Sequence, residues 1–122
     1  MFLEEKMTWY EAKAACKARS GHLVEVDTEE KQTLLTAEVQ RRGLHSTHYM
    51  WIDLNDLDSE GVWRWSQSGT VASFTAWSGG QPNSLNGEQD CVGLDLGNSK
   101  WNDLWCGRRE HEGDSFGAIC EM

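Results

Sequence analysis

Residues 79–91 read GGQPNSLNGEQDC and contain the only proline of this 122-residue chain. Pro82 lies between two side-chain amides, Gln81 and Asn83. A cis Gln81–Pro82 bond would turn both amide oxygens toward the same side, whereas a trans bond would make an ordinary turn. Bonds before proline are cis only in a minority of cases, so a cis bond usually serves a purpose. The spacing leaves both geometries open, but the cis form would let two oxygen ligands reach one ion.

Oxygen-bearing side chains gather in two segments, each of which ends at a cysteine. The first segment precedes Cys91 and the second precedes Cys106; their members are Gln81, Asn83, Glu88, Gln89 and Asp90, and then Asn102 and Asp103. A hard cation such as calcium takes about six to eight oxygens from carboxylates, amide carbonyls and water. Two loops of this composition, held side by side, would favour a calcium site.

The chain has four cysteines, at positions 16, 91, 106 and 120, and none forms a C-x-x-C pair. The spacing therefore gives little support to a zinc or redox site. An even number of cysteines in a small chain is typical of disulfides formed in an oxidising compartment. Four cysteines allow three pairings. A nested arrangement would close one short and one long loop, which contribute about 3 and about 4–5 kcal/mol in the loop-entropy model.

Helix signals come early in the chain and most strand signals come later. Residues 8–11 form a capping box that opens a helix toward Cys16, and residues 27–30 begin a second helix that ends near Gly43. Short apolar runs predict strands at residues 22–26, 50–54, 62–65, 91–96, 100–101 and 116–120. This order indicates an α+β fold. We predict a single domain over residues 1–122, with a long polar loop region between residues 66 and 88.

Composition excludes several classes of partner. The formal net charge is −9, with 20 acidic and 11 basic residues, and no basic stripe is present to bind nucleic acid or an anionic membrane surface. No apolar run approaches the roughly 20 residues of a membrane span, and no signal peptide opens the chain. We therefore expect no nucleic-acid partner and no membrane insertion.

Seven tryptophans are many for a chain of this length. Trp51, Trp63, Trp65 and Trp101 lie in strand-like runs and are predicted to be core residues. Trp77 and Trp105 flank polar loops and are the better candidates for exposure. An exposed aromatic ring commonly stacks on the apolar face of a sugar or on a partner protein.

Taken in order, these segments resemble the C-type lectin domain family. The matching segments cover nearly the whole chain: Trp9–Cys16, Gly21–Val24, Trp51–Leu54, Gln81–Asn83, Asp90–Val92, Trp101–Asp103, Cys106 and Phe116–Cys120. The resemblance implies two helices flanking antiparallel strands, a long calcium-binding loop region, and disulfides Cys16–Cys120 and Cys91–Cys106. Because the extra N-terminal cysteine pair of longer members is absent, the chain is similar to the short form.

The resemblance also implies a calcium-dependent carbohydrate site. Gln81 and Asn83 match the positions of the family's Glu-Pro-Asn or Gln-Pro-Asp motif, and Asn102 and Asp103 match its Trp-Asn-Asp motif. In sugar-binding members, two neighbouring hydroxyls of a monosaccharide coordinate the ion directly. The residues expected to hold calcium here are Gln81, Asn83, Glu88, Gln89, Asn102 and Asp103. The residues expected to bind the sugar are Gln81, Asn83, Asn102, Asp103 and Trp105.

Two departures from the family pattern affect this site. Gln-Pro-Asn is a hybrid of the mannose-type Glu-Pro-Asn and the galactose-type Gln-Pro-Asp, so both amides donate to the sugar and one carboxylate acceptor is lost. Gln89 stands where the family usually has a glutamate, and Glu88 comes one place earlier. In strict register Asp103 is then the only carboxylate at the five matching positions, which weakens calcium binding. A shift of one residue would bring in Glu88. Both galactose-type and mannose-type specificity stay open.

An auxiliary calcium site is a second expectation from the resemblance. Asp56 and Glu60, in the acidic turn of residues 55–61, together with Asp90, resemble acids that hold a second ion in some members. The alternative is an acidic turn that is simply solvated. Near the proline motif the loop lacks the aromatic residue that galactose-type relatives tend to have, so Trp105 is the candidate for stacking on a sugar.

Other functional classes have less support. No nucleophile, phosphate-binding or zinc-protease motif is present, and neither an acidic partner nor a helical pattern supports a site at His45 and His48. These two histidines, with His22 and His111, are interpreted as surface residues. We expect no enzyme. The main alternative is a protein-binding C-type lectin-like module that works without calcium. The favoured hypothesis is a secreted or extracellular lectin that binds mono- or oligosaccharides on glycoconjugates, in innate immune or cell-surface recognition. A homo-oligomer would supply avidity.

Overall fold

In a computed structural model, which describes residues 1–43, 49–82, 89–107 and 116–122, two helices pack against a mixed β-sheet. In chain order the elements are β1 (Phe2–Leu3), α1 (Trp9–Ala18), β2 (His22–Leu23), α2 (Glu29–Arg41), β3 (Tyr49–Asn55), β4 (Arg64–Trp65), β5 (Cys91–Asp95), β6 (Lys100–Leu104) and β7 (Phe116–Glu121). The α+β prediction is confirmed.

Both helices begin within the cap signatures that the sequence indicates. The Thr8 side chain accepts a hydrogen bond from the Glu11 backbone N–H at 3.1 Å, and the Glu11 carboxylate accepts one from the Thr8 N–H at 2.8 Å. This reciprocal capping box fixes the start of α1. At α2 the Thr28 hydroxyl accepts from the Lys31 N–H at 3.1 Å. The two caps satisfy backbone donors that the first helical turn leaves unpaired.

The main sheet has the strand order β1-β7-β3-β5-β6, with β2 paired to β7 and β4 paired to β3. Most neighbours are antiparallel, but β3 and β7 run parallel, with Tyr49 opposite Phe116 and Trp51 opposite Ala118. The sheet is therefore mixed, and this pair departs from the antiparallel arrangement that the resemblance implies. The two strands lie far apart in the sequence, so no turn between them reveals their relative direction.

The core lies on both sides of this sheet. One cluster of apolar side chains joins the sheet to α2 and includes Val39, Trp65 and Trp101; the other joins it to α1 and includes Trp9 and Trp51. The four tryptophans predicted to be core residues are all exposed by 9% or less. Burial of these large rings is the main apolar contribution to the stability of the domain.

Two disulfides fasten the sheet and loops together. Cys16 of α1 pairs with Cys120 of β7, and Cys91 at the start of β5 pairs with Cys106 just after β6. Both pairings agree with those that the resemblance implies. The second bridge joins the ends of the two segments that carry the oxygen ligands. It therefore restricts how far those segments can move apart.

Gly117 is a position where the fold excludes a side chain. A Cβ at this residue would press on the Leu3 carbonyl oxygen of β1 and lie 2.9 Å from Met50 Sδ. We expect Gly117→Ala to lower the free energy of unfolding by about 1–3 kcal/mol, because a backbone oxygen must move to admit the methyl group. Urea unfolding followed by tryptophan fluorescence measures this change. Gly79→Ala is the matched control, since a Cβ there meets no atom within 4 Å; equal effects of the two substitutions would contradict the prediction.

Candidate functional site

The segment before Pro82 runs alongside β6. Trp101 N–H donates to the Ala76 carbonyl at 2.9 Å, and Ser78 N–H donates to the Trp101 carbonyl at 2.9 Å. These bonds bring Gln81 beside Asp103, whose backbone N–H donates to Gln81 Oε1 at 3.3 Å. The Gln81–Pro82 peptide bond is cis. The fold thus joins the proline motif to the Trp-Asn-Asp motif.

Asn102 and Asp103 are neighbours in β6, and successive side chains of a strand point to opposite faces. Asp103 is buried, with 2% of its surface exposed. Asn102 is half-buried, and its Nδ2 donates to the Tyr49 hydroxyl at 3.5 Å. The Asn102 Oδ1 atom is buried and has no hydrogen-bond partner among the described residues. This oxygen therefore has both lone pairs available for a ligand.

The remaining expected ligands are described only in part. Asn83 and Glu88 lie outside the described residues, so their roles stay predictions. Gln89 is buried, with 5% of its surface exposed, directly before Asp90. A carbonyl oxygen has two lone pairs, so Gln81 Oε1 can accept the Asp103 N–H and still coordinate an ion.

Three carboxylates converge next to this segment. Asp56, Glu60 and Asp90 each place one oxygen within 4.8 Å of the others. The turn after β3 builds the group: Asp56 N–H donates to the Asp90 carbonyl at 2.9 Å, and Gly61 N–H donates to Asp56 Oδ2 at 2.9 Å. Gly61 has φ 80°, a conformation that glycine adopts readily. The structure therefore brings together the three acids that the sequence separates by up to 34 positions.

Two oxygens of this acidic cluster lack partners. Asp56 Oδ1 and Asp90 Oδ1 are both buried, and neither has a hydrogen bond within the described parts of the chain. Asp56 as a whole is 3% exposed. A buried carboxylate oxygen without a partner is unfavourable. The donor set, three carboxylates with two unpartnered oxygens, fits a hard divalent cation such as calcium.

The electrostatics of the acidic cluster also favour a bound cation. Burial raises the pKa of Asp56 from 3.8 to about 7, and the neighbouring Asp90 and Glu60 carboxylates raise it further, against the lowering effect of the Gly61 N–H. Burial also raises the pKa of Asp90, and the charges of Glu60 and Asp103 add to the increase. The repulsion of Asp90 by Asp103 links the acidic cluster to the Trp-Asn-Asp motif. A bound cation would relieve this repulsion.

A second pair of buried acids holds the start of the long loop. Asp53 Oδ2 accepts from the Gln67 N–H at 2.8 Å, and Glu25 Oε2 accepts from the Ser68 N–H at 2.8 Å. Asp53 is 1% exposed, and burial raises its pKa from 3.8 to about 7, with the Glu25 carboxylate raising it further. The two acids therefore anchor residues 67 and 68, from which the chain continues toward Gln81.

Trp77 and Trp105, the better candidates for exposure, are both half-buried, whereas the four tryptophans of the strand-like runs are buried. Trp77 packs edge-to-face against Trp63, with ring centroids 5.0 Å apart, and against Trp101 at 5.8 Å. The Trp77 ring is therefore held by these two contacts and is only partly exposed. Trp105 follows β6 directly and its indole nitrogen is buried, so only part of its ring could meet a sugar.

Sequence reasoning missed Tyr49 and the Asp53–Glu25 pair. Tyr49 is the first residue of β3, and its contact with Asn102 depends on the strand register. Asp53 offered one signal, a charged residue in the middle of the apolar run of residues 50–54. His45, His48 and His111 lie outside the described residues. His22 lies in β2, where its ring Nδ1 is 2.8 Å from the Leu23 carbonyl oxygen.

Fold and motifs together define a C-type lectin domain, and comparison with known proteins agrees. The family model described as "Lectin C-type domain" matches residues 5–122. A perlucin-like protein of Mytilus galloprovincialis is 31% identical over 120 residues, which are 98% of this chain and 72% of that protein. Hepatic lectin of Gallus gallus is 32% identical over 86% of this chain and 48% of its own length. The chain belongs to the C-type lectin domain family.

Solved structures give the same result. The cow C-type carbohydrate-recognition domain of CD23, determined in the presence of a GlcNAc2Man3 oligosaccharide, superposes with a TM-score of 0.80 at 31% identity, over 98% of this chain and 82% of that one. A calcium-independent type II antifreeze protein has a TM-score of 0.75 at 24% identity, over 98% and 81%. The fold alone therefore does not imply calcium. In the described part of the chain, no helix has the length and apolar character needed to cross a membrane.

Proposed function

We propose that this domain binds carbohydrate in a calcium-dependent manner, through the Gln-Pro-Asn and Trp-Asn-Asp motifs. The observation that carries the proposal is the contact between Gln81 Oε1 and the Asp103 N–H at 3.3 Å, which joins the two motifs. Gln81, Asn83, Asn102 and Asp103, with Gln89 or Glu88, would hold the ion. Calcium bound there would supply coordination to two hydroxyls of one sugar ring.

The side chains define which sugar hydrogen bonds are available. Gln81, Asn83 and Asn102 carry amides that donate N–H to sugar oxygens, and Asp103 carries the only carboxylate that accepts among these four. A sugar hydroxyl that needs an acceptor therefore depends on Asp103. The half-buried Trp105 offers part of an indole ring for contact with the apolar face of the sugar.

We further propose that the acidic cluster of Asp56, Glu60 and Asp90 binds an auxiliary calcium ion. It lies in the same part of the fold as the sugar-binding motifs, since Asp90 precedes Cys91 and interacts with Asp103. An ion there would hold the turn of residues 55–61 against the end of the long loop. The two disulfides favour secretion or an extracellular location. Recognition of glycans on cell or microbial surfaces is the corresponding biological role.

The second candidate function is a calcium-independent module that binds another protein. Two observations favour it: Asp103 is the only carboxylate among Gln81, Gln89, Asn102 and Asp103, and a calcium-independent antifreeze protein shares the fold. A protein ligand would be retained in the presence of a chelator, whereas a sugar bound through calcium would be released. Chelation therefore separates the two functions.

The test is retention on mannose- and galactose-substituted resins, with and without calcium. We expect the domain to be retained in about 5 mM calcium, since extracellular sites of this class bind in the range of about 0.1–1 mM, and to elute with EDTA. Asp103→Asn, which keeps the shape of the side chain and removes its charge, should lose retention. Asp58→Asn is the matched control, because Asp58 is exposed and outside the acidic cluster. Retention that persists in EDTA would overturn the proposal.

A further inference from the structure

A cleft in the described part of the chain lies between the start of α1 and the turn that follows β3. Its volume is about 690 Å³, and its walls include Tyr10, Lys13, Asp58 and Arg64. A second cavity, of about 380 Å³, shares Lys13 and Ser66 with it. None of Asp56, Glu60, Asp90, Asn102 and Asp103 lines either one. This double cleft is therefore separate from the proposed calcium sites.

Positive charge gathers around the double cleft although the chain is acidic overall. Lys13 and Arg64 line the larger part, and Lys13 and Lys17 line the smaller part. None of these three forms an ion pair with a described carboxylate, whereas Lys31, Arg41 and Arg42 do. The chain has 11 basic and 20 acidic residues, so three unpaired cations around one depression are a local reversal of charge.

Few carboxylates oppose these cations. Among the described residues, Asp58 is the only exposed acid that lines the larger cleft. Asp53 lines the smaller one, but only 1% of its surface is exposed and it binds the Gln67 N–H. Lys13 Nζ lies over the Trp9 ring, 5.3 Å from its centre. This contact holds the ammonium at the cleft, where the Asp53 carboxyl also attracts it.

An aromatic surface completes the cleft. Tyr10 is 52% exposed, and its ring packs edge-to-face on Trp9 with ring centroids 5.5 Å apart. Because Trp9 is buried and donates its indole N–H to the Ile52 carbonyl at 3.0 Å, it forms a fixed support. A ring fixed in this way can stack on the apolar face of a sugar. Arg64 can bind a carboxylate or sulfate through two parallel N–H bonds.

We propose that the double cleft binds a sulfated saccharide, in which the sulfate ester contacts Lys13 and Arg64 and the sugar ring lies against Tyr10. The volume suits a ligand of one or two sugar units. Binding there needs no calcium, since the contacts are ionic and aromatic. The net charge of −9 disfavours a long polyanion, but it is screened beyond about 10 Å at ordinary salt, so a short acidic ligand can reach the cleft. This function goes beyond the neutral-sugar site proposed above and does not depend on it.

The test is titration calorimetry in EDTA with the 4-sulfated chondroitin disaccharide and with its unsulfated form. We expect the sulfated disaccharide to bind more tightly. The double variant Lys13→Ala and Arg64→Ala should weaken its binding by about tenfold or more. Lys6→Ala with Lys100→Ala is the matched control, because it removes the same charge from two exposed residues outside the double cleft and should change binding less than about twofold.

Two single substitutions test the roles of Tyr10 and Asp58 in the double cleft. Tyr10→Ala should weaken both disaccharides, since it removes the stacking surface. Asp58→Asn should strengthen binding of the sulfated form by removing the opposing charge. Equal losses in the two double variants, equal affinity for the two disaccharides, binding that requires calcium, or no binding at millimolar ligand would each overturn the proposal. None of these outcomes bears on retention by neutral sugars in calcium, so the two sites are tested separately.

Discussion

Replacing Asp56 by asparagine is expected to remove most of the stabilisation that calcium gives this domain, while leaving the calcium-free protein at least as stable as the unmodified chain. Without an ion, Asp56 is a buried carboxylate whose Oδ1 lacks a partner among the described residues and whose neighbours Glu60 and Asp90 are also acidic. Asparagine removes one negative charge from this group and keeps an oxygen that can accept the Gly61 N–H. The substitution therefore relieves repulsion in the calcium-free state and removes a ligand from the calcium-bound state.

The expected size follows from mass action. A ligand at about 100 times its dissociation constant stabilises the folded state by about 2.7 kcal/mol, which for a domain of this size corresponds to a rise in Tm on the order of 10 °C. We expect the unmodified domain to show a rise of this order in about 10 mM calcium, since sites of this class bind at about 0.1 mM or above. Asp56→Asn should show less than about a third of it.

Thermal unfolding monitored by circular dichroism, in calcium and in EDTA, measures both effects. Asp58→Asn is the control: it lies in the same turn, is exposed, and stands outside the acidic cluster, so its response to calcium should equal that of the unmodified domain. A full calcium response in Asp56→Asn would show that Asp56 is not a ligand. If Asp103→Asn keeps the full rise in Tm with calcium but loses sugar retention, the ion that stabilises the domain lies at the acidic cluster.

Local sequence signals predicted the elements of this fold well. The capping box at Thr8 and the cap at Thr28 lie within a few residues of the backbone donors that they satisfy, so the sequence identifies both helix starts. Strand lengths were predicted less well: residues 22–26 were expected to form a strand, but β2 contains only His22–Leu23. Beyond Leu23 the chain still contacts β7, since Val24 N–H donates to the Ile119 carbonyl at 2.9 Å, but it soon leaves the sheet toward α2.

Long-range geometry is where the sequence says least. The parallel pairing of β3 with β7 and the contact of Asn102 with Tyr49 are set by register, which no local pattern encodes. The acids of the cluster, Asp56, Glu60 and Asp90, were selected through the family resemblance, and only the fold shows that they converge. Their calcium ligation stays a prediction, as do the roles of Asn83 and Glu88.

Asp53 is the clearest example of a residue whose burial the sequence does not indicate. A charged residue in an apolar strand could point outward or be buried, and alternation alone does not distinguish these cases. In this fold it is buried beside Glu25, and its burial is tolerated because its oxygen accepts a backbone N–H of the loop. The consequence is a pH-dependent stability that nothing in the local sequence indicates.

Asp53→Asn is accordingly expected to stabilise the domain at neutral and alkaline pH and to have little effect in acid. Burial, with the Glu25 charge adding to it, raises the pKa of Asp53 to about 7 in the folded protein, compared with an ordinary value of 3.8. The folded protein therefore keeps a proton that the unfolded chain releases. As the pH rises from about 4 to about 7, this difference lowers the free energy of unfolding by as much as about 4 kcal/mol, and above pH 7 the loss is constant.

Asparagine resembles the protonated acid at every pH. Its side-chain oxygen can accept the Gln67 N–H, and its NH2 group can donate toward Glu25, as the acid proton would. The other charged or titratable groups near Asp53 are Lys13, Lys17 and His22, which line the same cavity. These three groups are the same in both proteins. Their contribution to the difference in stability therefore cancels, provided that the substitution does not change the electrostatic potential around them.

Urea unfolding at a series of pH values between about 4 and about 8 measures the difference between the two proteins. We expect Asp53→Asn to gain about 1–3 kcal/mol at pH 8 and close to none at pH 4, because at pH 4 the folded acid is protonated and the unfolded acid, near its ordinary pKa of 3.8, is only partly ionised. Asp58→Asn provides the control of an exposed acid whose replacement should give no such trend. A difference that stays constant across the range would mean that the folded protein holds no extra proton at Asp53, and that the acid pair anchors the loop as two charged groups.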